Sequence, residues 1–108
     1  MAKKHKSQLS TKWWLDYFNE DDIVHWQKLV EVLGFKGHYP SKTQCKKAIK
    51  RVYVNIRDFL EAVASNQKVP KHGSKHELLR YTQNTQRYFK RKKIVSGSPL
   101  SALLRDIA

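Results

Sequence analysis

A chain of 108 residues, 40% hydrophobic and carrying twelve Phe, Trp and Tyr side chains, can build one packed core but not two, which excludes a wholly disordered basic tail. Its 22 Lys and Arg against nine Asp and Glu give a formal charge of +13, which favours an anionic partner. A single cysteine excludes an internal disulfide and paired-cysteine zinc or redox motifs, and no apolar run reaches the length of a membrane span.

The charge is uneven along the chain. Residues 1–12 carry four positive charges, residues 35–58 a net six and residues 70–108 a net seven, while residues 13–34 are net acidic by four. Residues 1–10 hold one large apolar side chain after the initiator and read as a flexible basic arm without the apolar stretch of a secretory signal. The expectation is a soluble intracellular protein, nuclear or cytoplasmic. Trp13, Trp14, Leu15, Tyr17 and Phe18 follow, and a short helix after Thr11 brings Trp14, Leu15 and Phe18 together to dock on the core. Ile23, Trp26, Val30 and Leu33 mark one face of a second helix. Asn19 is its expected N-cap, Glu20, Asp21 and Asp22 suit its positive end, and Gly34 can take the left-handed position beyond its last turn.

Ser41 and Gln44 have the spacing of a capping box, which predicts a helix from Ser41. Cys45, Ile49, Val52, Ile56, Phe59, Leu60 and Val63 continue it as one apolar stripe of five turns, with Lys42, Lys46, Lys50 and Arg57 in a narrow outer arc that Lys47 and Arg51 extend. Val52, Tyr53, Val54 and Ile56 favour strands by propensity, and the long helical period is taken to outweigh them. After a loop over residues 65–73, Ser74 and Glu77 repeat the capping spacing and open a helix that extends towards Tyr88 and Phe89. The basic tetrad Lys90, Arg91, Lys92 and Lys93 comes next. Pro99 behind a Ser98 cap starts a last short helix whose Leu100, Leu103, Leu104 and Ile107 close the core. The predicted architecture is all-α, a single small domain of about four helices over residues 11–108 with the arm over 1–10.

The order of motifs resembles that of a group of small fungal proteins. The likeness rests on Trp26-Gln27-Lys28-Leu29, Ser41 with Cys45-Lys46-Lys47-Ala48, Val54-Asn55-Ile56-Arg57-Asp58, Leu78 with Tyr81-Thr82, and Ser98-Pro99-Leu100 with Leu103-Leu104, over residues 22–107. Members often carry Pro after the aromatic matching Phe89, where this chain has Lys90. The resemblance implies a fungal intracellular protein that folds as one unit, and it brings no assigned activity.

No stretch carries a catalytic motif, so the chain is read as a non-enzyme with no cofactor, no metal and no small-molecule substrate. His72 and His76 are four apart, yet Gly73 and Ser74 between them argue against one helical face bearing two metal ligands. Cys45 could be activated by Lys46 and Lys47, but it opens the apolar stripe and reads as a small core hydrophobe. Asn55 and Asp58 lack a paired acid or base, and Asp58 is expected to pair with Arg51 or Arg57 or to cap neighbouring backbone.

Two basic clusters remain. Lys46, Lys47, Lys50 and Arg51 lie on a helix, and Arg87, Lys90, Arg91, Lys92 and Lys93 lie beside Tyr88 and Phe89. Both suit phosphate backbones, and the aromatics suit stacking on bases. Because most of these cations are lysines, which position rather than specify, the expected function is nucleic-acid association, DNA or RNA, with weak sequence selectivity. The tetrad could also serve as a nuclear-import address. One alternative is a protein-interaction or scaffold role for Trp13, Trp14, Tyr17 and Phe18, should those rings be exposed. A second is binding to an anionic membrane surface.

Overall fold

In a computed structural model of the chain, which describes residues 9–104, each α-helix starts at a side chain that accepts a hydrogen bond from a free backbone N–H of the first turn. Ser10 caps α1 (Thr11–Phe18), Asp22 caps α2 (Ile23–Val32), Ser41 caps α3 (Lys42–Ile49), Asn55 caps α4 (Ile56–Ala64) and Ser74 caps α5 (Lys75–Thr85). Two short 3-10 turns follow, Arg91–Lys93 and Leu100–Leu103. Among the described residues there are no strands, only an isolated antiparallel bridge between Tyr53 and His72. Of the expected arm, residues 1–8 lie outside the described residues, as does Ile107.

The long helix expected from Ser41 to Val63 is two helices. Lys50 ends α3, Val52 to Val54 leave the helical path, and Tyr53 accepts a hydrogen bond from the His72 amide at 2.8 Å. Two causes act at the same place. Val52 and Val54 lose side-chain freedom in a helix, and Asn55 satisfies the Asp58 amide at 2.9 Å only from the extended conformation of an N-cap. The apolar stripe still marks what is inside, since Cys45, Ile49, Ile56, Phe59 and Leu60 are all buried. Its continuity was the error. Arg57 leaves the outer arc and pairs with Glu61 along α4.

Other ends behave differently from expectation too. Asp22, not Asn19, caps α2, and Asn19 closes α1. Gly34, at φ +95°, sits beyond α2 while Gly34 and Phe35 donate to Glu31 and Val30, the paired bonds of a Schellman ending. Helix α5 stops at Thr85, short of Tyr88, because Gln86 turns left-handed at φ 58°. At Pro99 the chain turns as expected, with Ser98 Oγ accepting from the Ser101 amide at 3.2 Å, into a 3-10 turn rather than an α-helix.

The core forms where α1 and α2 meet α4 and α3. Phe18 of α1 lies against Phe59 of α4 with centroids 5.3 Å apart, while Trp26, Leu29 and Val30 of α2 join Cys45 and Ile49 of α3, and Leu100 and Leu103 close one end. Helix α5 is attached differently. Leu78 is buried but stands apart from that contiguous cluster, and α5 is tied to α4 by polar contacts. Asn55 Nδ2 donates to Thr82 Oγ1 at 3.2 Å and to the Arg87 carbonyl at 2.8 Å, and the Tyr81 hydroxyl donates to Asp58.

Asn55 therefore holds three connections from one buried side chain. Asn55→Ala is expected to lower stability by about 2–3 kcal/mol, the loss of a cap plus unsatisfied buried groups. Urea unfolding measures it, and a loss below about 1 kcal/mol would contradict the role given to Asn55.

Candidate nucleic-acid interface

The distribution of carboxylates decides where the surplus positive charge appears. Of the nine acidic residues, all but Asp106 are described, and each has a local engagement. Asp16 pairs with Lys12, Glu31 with Lys28, Asp21 with Lys42, and Asp58 and Glu61 with Arg87. Asp22 caps α2 and Glu77 accepts from the Gly73 amide. Glu20 lies 3.5 Å from His25 Nδ1 without hydrogen-bond alignment, since that nitrogen has no hydrogen-bond partner. None of these acids reaches Lys46, Lys47, Lys50, Arg51 or the tetrad within ion-pair distance among the described residues. All eight of these cationic side chains are exposed.

The tetrad is a built feature and not a loose tail. Asn19 holds it against α1, donating to the Lys93 carbonyl at 2.8 Å and accepting from the Val95 amide at 2.9 Å. In the 3-10 turn, residues three apart eclipse one another. Lys90 and Lys93 accordingly line one groove, of about 580 Å³, along α1, together with the paired charges Lys12–Asp16 and Arg57–Glu61. Arg91 lines another, of about 390 Å³, and Tyr88 with Phe89 forms the ridge shared by both.

Arg87 is placed otherwise than expected. Its guanidinium is bound by Asp58 and Glu61, and the Asp58 hydrogen bond raises its pKa further. Its charge is neutralised within the fold, so Arg87 joins α4 to the end of α5 and leaves the set of phosphate-binding candidates. Asp58 correspondingly pairs across the fold and not with Arg51 or Arg57. The same carboxylate holds the Tyr81 phenol above its ordinary value by accepting its hydrogen bond.

On α3 the cluster splits as well. Lys46 Nζ lies 5.7 Å from the Trp26 ring centroid, and Arg51 lies 5.8 Å from that of Phe35. Lys47 and Arg51 line a third groove with His38, Tyr39 and Gln44, which shares no residue with the grooves beside the tetrad. Both clusters are exposed, but they share no groove.

The remaining candidates resolve by burial. Phe18 is in the core, and Trp14 and Tyr17 are half-buried against it. Trp13 is 43% exposed and stacks on Tyr17 with centroids 5.3 Å apart. Cys45 is buried, which pushes its thiol above the ordinary value. His72 packs on the Tyr81 ring, and among the described residues no three His, Cys, Asp or Glu side chains cluster to hold a metal ion. Also among them, no helix is long and apolar enough to cross a membrane. Asn19 and Asn55 were the site residues that sequence reasoning misassigned or left without a role, because their partners Lys93, Val95, Thr82 and Arg87 are remote in sequence.

Asp21 gives a pH test of the acidic segment. The Trp26 indole N–H, at 2.8 Å, and then Lys42 hold its carboxyl below the ordinary 3.8. A depressed folded value means that its contribution to stability is present above 3.8 and is lost as pH falls through the depressed value. The indole N–H resonance of Trp26 should therefore titrate with a midpoint below 3.8, and not at all in Asp21→Asn. A midpoint at or above 3.8 would refute the contact.

Comparison with family models, curated proteins and solved structures returns no match, so the site's geometry and charge carry the functional reading.

Proposed function

We propose that this chain binds nucleic acid through its phosphates, using Lys90, Arg91, Lys92 and Lys93 as the principal contact and Lys46, Lys47, Lys50 and Arg51 as a second. The supporting observation is that the described carboxylates are engaged elsewhere, so these eight exposed side chains carry the larger share of the unpaired charge in two concentrated runs, while Lys36, Lys68, Lys75 and Arg80 are exposed singly. Lys and Arg side chains displace the counterions condensed on the phosphates, and no base-reading side chain is required. Selectivity among sequences is then weak. A nuclear or cytoplasmic location follows from this reading.

A salt-titrated binding series with duplex DNA, duplex RNA and single strands tests it. Log affinity should fall linearly with log salt, and absence of binding at low salt, or binding indifferent to salt, would sink the proposal. A second reading, a protein partner at α1, is favoured by the exposed Trp13 ring, stacked on the half-buried Tyr17. Trp13→Ala should then weaken partner capture while nucleic-acid affinity is unchanged.

A further inference from the structure

We propose that the groove beside Arg91 receives one unpaired nucleobase, which makes single strands the preferred form of the ligand; this rests on the nucleic-acid reading above. The groove has a volume of about 390 Å³, within the range of small-ligand sites, and its walls are apolar, formed by Val54, Ile56, Leu78 and Leu103. At its rim stand Tyr88, 51% exposed, and Arg91, exposed and without an ion-pair partner among the described residues. A nucleotide presents the matching parts, a flat ring with two apolar faces joined through a sugar to an anionic phosphate. A duplex hides those faces in its stack, and only an unpaired base can offer them to the walls and to Tyr88.

Asn55 and Arg87, polar groups in the wall of the groove, are already committed. The amide of Asn55 donates to Thr82 and to the Arg87 carbonyl and accepts from the Asp58 amide, and the Arg87 guanidinium is bound by Asp58 and Glu61. Base edges thus meet few free polar partners, and the site discriminates weakly among the four bases. A fatty acid could use the same walls with its carboxylate on Arg91. What favours the nucleotide strand is the second rank of cations, Lys90 and Lys93, across the Tyr88–Phe89 ridge. A strand has further phosphates for those cations, whereas a fatty acid carries one charge.

The experiment compares oligo(dT) of about 12 nucleotides, an abasic strand with the same phosphates, and a duplex of equal length, using the full chain and Tyr88→Ala. The abasic strand should bind about 10-fold more weakly than oligo(dT) with a similar salt slope. Tyr88→Ala should lose about 10-fold for oligo(dT) and nothing for the abasic strand, with an unchanged melting temperature because Tyr88 is exposed. Equal affinity for oligo(dT) and the abasic strand overturns base insertion while leaving phosphate binding intact. No binding to any of the three at low salt overturns both. A fluorescent dodecanoate analogue that binds the groove and is not displaced by oligo(dT) also overturns base insertion.

Discussion

Arg87→Ala is expected to destabilise the fold by about 3–5 kcal/mol, far more than removal of any tetrad cation. The Asp58 side chain is only 10% exposed, and its carboxylate is held by the Arg87 guanidinium and the Tyr81 hydroxyl. Removing Arg87 leaves a nearly buried negative charge with one neutral donor, and its desolvation is no longer offset. Replacing the pair together, Asp58→Leu with Arg87→Met, should recover most of the loss, since neither charge is then stranded. Urea unfolding of the two single variants and the double variant measures the coupling. Hydrogen exchange should show α5 opening first in Arg87→Ala, because α5 is joined to α4 by this polar network and by Leu78 outside the main apolar cluster. A loss below about 1 kcal/mol for Arg87→Ala would show that the network contributes little.

The second large effect is on binding. Replacing Lys90, Arg91, Lys92 and Lys93 by Ala should weaken nucleic-acid binding roughly 100-fold at physiological salt, for all sequences alike, and flatten the salt slope by about 3. Folding should be nearly unchanged, because all four side chains are exposed and what fixes this segment is backbone hydrogen bonding to Asn19. Removing Lys47 and Lys50 should produce a smaller loss, since two cations are removed and not four and neither lines the tetrad's grooves. Anisotropy titrations at several salt concentrations measure both. An unchanged slope in the tetrad variant would place the phosphates elsewhere on the molecule.

Local chemistry was legible wherever it acts within a few residues. Ser41 and Ser74 cap the helices their spacing announced, Gly34 takes the left-handed position, and Ser98 precedes the terminal turn. The reading failed where two local signals competed. Between Ser41 and Val63 a helical period met a β-branched run, and the period could not show that Asn55 has partners at Thr82 and Arg87 to reward a break. Arg87 failed for a related reason. Beside Tyr88 and the tetrad it looks like one more surface cation, and only the approach of α4 reveals it as the counter-ion of Asp58.

By itself, the sequence determined the helical class, the helix starts set by Ser41 and Ser74, most of the buried positions and the excess of positive charge, because caps, periodicity and composition act through neighbours along the chain. The tertiary structure alone decided which charges remain available. Asp58 and Glu61 neutralise Arg87 from 29 and 26 residues away, Asn19 fixes the tetrad's backbone from 74 residues away, and Lys90 and Lys93 part from Arg91 across one ridge. Pairing falls off steeply with distance in space and is indifferent to distance in sequence, so the same count of 22 cations could have been arranged on many surfaces. Folding selects this one.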